Sequence, residues 1–78
     1  MPFSAYDSGS VRLLSAVLAD ATISARKTIG HPLSEREIST LSEMLVQGLT
    51  KAHDAGERDP DALKRAAVRS ALVWQTMN

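Results

Sequence analysis

Gly30-His31-Pro32 and Gly56-Glu57-Arg58-Asp59-Pro60 cut the chain into three long segments. In each interruption the glycine supplies a residue that can end a helix with positive φ. The proline that follows cannot continue a helix but is well suited to begin one. Between these marks apolar residues recur at steps of three and four and never alternate, which is the period of amphipathic helices rather than strands. Short links between long amphipathic helices force antiparallel neighbours. The sequence therefore predicts an all-α fold, a small three-helix bundle running up-down-up. Helices are expected over about 10–29, 34–55 and 59–77, forming a single domain over 10–78, with an irregular N-terminal arm over 1–9 that carries Phe3 and Tyr6. These two aromatics are spaced to fold back over the end of the bundle.

In the first segment Ser10 is the expected N-cap. Val11, Leu14, Leu18, Ala21, Ala25 and Ile29 share one face within an arc of roughly 80°, which Val17 extends. Arg26 and Lys27 fall in the last turn, where positive charge suits the helix dipole. The second segment opens with Ser34 and Glu37 in an S-x-x-E capping box, with Leu33 and Ile38 placed as a hydrophobic staple. Its stripe is Ile38, Leu41, Leu45, Leu49 and Ala52, opposite a polar face of Arg36, Ser39, Thr40, Glu43, Gln47, Thr50 and Asp54. Gly48 interrupts this helix at the flank of the stripe. Glycine there costs about 1 kcal/mol relative to alanine, which a close helix crossing or room for the Trp74 ring would justify. The third segment starts with Asp59 as cap and Pro60 at the first helical position. Its expected core face is Leu63, Ala67, Ser70, Trp74 and Met77, broadened by Ala66 and Val73.

Seventy-eight residues make one domain near the lower limit for folding alone, so a second copy or a partner is the natural supplement to a small core. The chain has no cysteine, which removes disulfides and thiolate metal sites and fits a reducing compartment. Met1 to Ser10 contain no Lys or Arg, so a secretory signal lacks its basic start. The apolar stretch that follows carries Arg12, Asp20 and Arg26, which no membrane span tolerates. A soluble, cytoplasmic protein is expected. Nine basic residues balance nine acidic ones, giving no net charge to attract nucleic acid.

No residue pattern supports catalysis, a cofactor or a metal. The segment 54–61 gathers Asp54, Glu57, Asp59 and Asp61 but does not follow the calcium-loop pattern. Helix capping accounts for Asp59 and Asp61, and a solvated turn for Glu57. His31 and His53 are not at ligand spacing, and no serine lies in a nucleophile turn. His53 reads as an edge residue that suits the helix dipole when protonated. The chain is not expected to be an enzyme. The candidate site is a protein interface on the third helix, where Val68 and Leu72 stand opposite the expected core face and are flanked by Lys64, Arg65, Arg69 and Gln75. An apolar pair rimmed by cations suits a dimer contact or a helix in a groove. Ile23 with Ala16 and Ala19, and Val46, are weaker counterparts on the other helices. The expected partner is protein, either a second copy or a heteromeric subunit. The competing reading is a DNA-binding regulator with a helix-turn-helix-like pair over 34–77, in which Lys64, Arg65 and Arg69 would contact DNA. Against it stand the long second helix and the carboxylates Asp59 and Asp61 at the leading end of the third.

Overall fold

A computed structural model describes residues 6–77, with side chains through Trp74. Among the described residues the chain forms three α-helices and no strand: α1 (Ser8–Ile29), α2 (Glu35–Asp54) and α3 (Pro60–Met77). This is the expected three-helix bundle, and each helix ends for an identifiable reason. Asp7 caps α1, its carboxylate accepting the Ser10 N–H at 3.2 Å. The cap is thus not Ser10, and Ser8 and Gly9 belong to the helix. Asp7 and Ser10 are both good caps three residues apart, and the more N-terminal one gains an extra turn of backbone hydrogen bonds. At the other end Gly30 has φ 75° and donates its N–H to Arg26 O.

α2 carries the full capping box. Ser34 N–H donates to Glu37 Oε1 at 3.0 Å, and Glu37 N–H donates to Ser34 Oγ at 3.2 Å. It closes in a Schellman turn: Gly56, at φ 104°, donates to His53 O, and Glu57 donates to Ala52 O. The Arg58 guanidinium adds a 2.6 Å hydrogen bond to the same His53 carbonyl. Asp59 caps α3, accepting the Ala62 N–H at 3.3 Å.

The core is built from leucine and alanine. Leu14, Leu41, Leu45, Leu49 and Leu63 are fully buried, and Ala21, Ala25, Ala67 and Ala71 bring the helices close. α3 packs against both other helices, which touch each other much less. Asp20 of α1 pairs with Lys64 of α3 at 3.2 Å, and four residues further on Ser24 lies beside Val68, so these two helices run in the same direction. Tyr6, just before α1, meets His53 and Asp54 at the end of α2, so α1 and α2 run oppositely.

Three expectations about side chains change. On α3 the buried line is Leu63, Ala67 and Ala71, whereas Val73 is 53% exposed. Because α3 meets two helices, its buried arc widens toward α1. Val68 packs against the core and Leu72 is half-buried, so neither stands in water opposite the core. Trp74 is half-buried at the margin of the core rather than within it. The placements expected for Phe3 and for the Met77 side chain lie outside the described residues.

Candidate interaction surface

A concave surface runs along α3 where it meets α1. Val68, Leu72 and Val73 supply its apolar surface, Ser24 contributes from α1, and Lys64, Arg65 and Arg69 border it, around a shallow groove of about 630 Å³. Helical geometry explains the combination. Lys64, Val68 and Leu72 succeed one another at steps of four and so stack on one side of α3, while Arg65 and Arg69 form the adjacent, more exposed row. All four interface residues expected from the sequence, Val68, Leu72, Arg65 and Arg69, therefore meet on one surface. Val73 was assigned to the core by its spacing, yet it belongs to this surface.

The cations differ in their engagement. Lys64 is half-buried and tied to Asp20. Arg65 and Arg69 are exposed, and neither makes a hydrogen bond or ion pair with another described residue. After Asp61 the sequence contains no further Asp or Glu, so the charged side chains of α3 beyond its first turn are all basic although the whole chain is neutral.

The other candidates are accounted for by structure. Glu57 is half-buried rather than solvated, and its Oε1 accepts the N–H groups of Arg58 and Asp59 at 3.1 and 3.0 Å, ordering the α2–α3 link. Among the described residues no three His, Asp or Glu side chains gather as a metal site. No helix among them is long and apolar enough to cross a membrane. A second, smaller groove between α1 and α2 is lined by Leu18, Ser42, Glu43, Val46 and Gln47, and it includes Val46, one of the weaker sequence candidates. Ile23 is 57% exposed, and Ala16 and Ala19 beside it are exposed as well.

His53 is a site that its edge position in the sequence did not reveal. It is only 5% exposed, and neither ring nitrogen has a hydrogen-bonding partner. Tyr6 packs edge-on against its ring, with centroids 5.1 Å apart and planes at 87°. The Tyr6 hydroxyl donates to Asp54 at 2.9 Å. Donating this hydrogen bond stabilises the protonated phenol, so the bond to Asp54, followed by desolvation, raises the Tyr6 pKa. This places Tyr6 against the end of α2, as the spacing of the aromatics suggested for this residue.

Comparison with known proteins finds no matching family model, no matching curated protein and no matching solved structure.

Proposed function

We propose that this chain is a small non-enzymatic helical protein-interaction module, a homodimer or an accessory or regulatory subunit, with α3 as its contact element. One observation carries the reading: an apolar surface of Val68, Leu72 and Val73 is bordered by two exposed arginines that no described residue engages. An apolar surface bordered by exposed arginines fits the charge-poor centre and polar rim of an interface. Sedimentation of the wild type at rising concentration, beside Val73→Glu, tests the homomeric form. Self-association that the substitution abolishes supports it.

The same arginines keep a second reading in view, that of a DNA-binding regulator. Exposed Asp59 and Asp61 at the start of α3 oppose it, because they would face phosphates. Titration with mixed duplexes at low salt decides between the two. Tight binding that falls steeply with added salt, and falls again in Arg65→Ala or Arg69→Ala, would favour DNA.

A further inference from the structure

We infer that the α1/α3 groove receives a single amphipathic helix of a partner protein, with Asp or Glu flanking its apolar ridge. This rests on the interaction reading above and names the occupant.

Length and shape point to one helix. From Lys64 to Val73 the groove follows α3 for roughly 14 Å at 1.5 Å per residue. The apolar ridge i, i+4, i+7 of an incoming helix covers about 10 Å, which fits that run. A helix laid between α1 and α3 takes the place of a fourth helix in the bundle and covers Val68, Leu72 and Val73 together.

Charge selects the flanks. Arg65 and Arg69 form a row one helical turn apart, exposed and unengaged among the described residues, beside an apolar surface where pairing with a carboxylate is strongest. A second copy is the weaker occupant. A two-fold contact presents the same patch from both sides, setting Lys64, Arg65 and Arg69 against their own counterparts. Asp20 already holds Lys64, and residues 62–78 contain no Asp or Glu. The negative charge must therefore come from a different surface.

The test is selection from a displayed library of helical peptides of about 18 residues, roughly five turns. The ridge is restricted to apolar residues, and the flanks are randomised over Asp, Glu, Lys, Arg and Ser. The full-length protein is the bait. The expected result is enrichment of Asp and Glu on the flanks, with binders weakened at least about tenfold by Arg65→Glu/Arg69→Glu and abolished by Val73→Glu. Peptides with Lys in place of the selected acids should in turn prefer the doubly substituted protein. All three positions are solvent-facing, and matching thermal melts would show that the variants fold. Neutral or basic flanks, binders indifferent to the arginine substitutions, or no groove-dependent binder would overturn the inference. If sedimentation then shows self-association that Val73→Glu abolishes, the interaction reading survives and a second copy replaces the acidic helix. If it shows none, both fall.

Discussion

Gly48 is explained by what a side chain would strike. A Cβ placed there would lie 2.5 Å from Ser70 Oγ, 2.8 Å from Ser70 Cβ and 3.0 Å from Ala66 O. The close crossing of α2 and α3 is therefore reason enough for this glycine. Alanine would gain about 1 kcal/mol in helix propensity but force the helices apart, a strain of about 1–3 kcal/mol. Because a serine Cβ and a backbone carbonyl cannot swing aside, Gly48→Ala should lower stability by about 1 kcal/mol net, measured by denaturant melts. Adding Ser70→Gly should recover part of the loss. His53 calls for the opposite expectation. Its ring lies buried with neither nitrogen hydrogen-bonded, Asp54 standing 3.9 Å from Nδ1, and leaving such a group unsatisfied costs about 1–3 kcal/mol. His53→Leu should therefore match or exceed the wild-type melting temperature, at the expense of the edge-on contact with Tyr6. A lower melting temperature would mean that the imidazole contributes an interaction leucine cannot replace.

At the scale of the element, what could be read from the sequence depended on how much each helix end and face constrains itself. The Ser34–Glu37 box names its own residues, so α2 was legible almost to the residue. The Asp7 cap was obscured by Ser10, an equally good cap three positions later. The phase of α3 was partly hidden because alanine weighs little in a hydrophobic pattern. Ala71 therefore gave no signal against Val73, although contact with two helices places Ala71 in the core. Arg65, Val68, Arg69 and Leu72 still fall on one surface because they occupy adjacent rows whatever the exact phase. His53 could not be read as buried, since one of the groups packed on it, Tyr6, arrives from 47 positions away. The capping box also sets a pH dependence. Hydrogen bonds from the Ser34 backbone N–H and then its hydroxyl hold the Glu37 pKa below its usual value. A depressed carboxyl pKa contributes stability above the unfolded-state value, and this is lost as pH falls through the folded-state value. The gap in melting temperature between wild type and Glu37→Gln should accordingly be widest near neutrality and close only as pH falls through the lowered Glu37 value, where the wild-type carboxyl takes up its proton and resembles the amide. A gap that stays constant into acid would show that the bond gives the ionised form no advantage over the unfolded chain.

For the whole molecule, the central fact is that α3 holds the other two helices, which touch each other comparatively little. A hairpin of α1 and α2 alone would lose the packing that α3 gives to both, and short amphipathic helices without packing are marginal in water. Unfolding should therefore be all-or-none, with no stable pair of helices left behind. Leu63 is the sharpest place to test this, because it is fully buried and belongs to α3 alone. Leu63→Ala removes transfer energy and opens a cavity, at about 2–5 kcal/mol. In a domain whose core supplies only about 3–5 kcal/mol net, that would unfold much of the population at room temperature. The loss should be seen at the same denaturant concentration by helical circular dichroism, which reports all three helices, and by Trp74 fluorescence, which reports α3. Val73→Ser, at a position more than half exposed, should shift stability by less than about 0.5 kcal/mol and serves as the control on the same helix. If instead the Trp74 signal is lost first while most of the helical signal persists, α1 and α2 form a unit that stands without α3. The contact helix would then be free to detach and dock elsewhere, and the groove it forms with α1 could not serve as a preformed site.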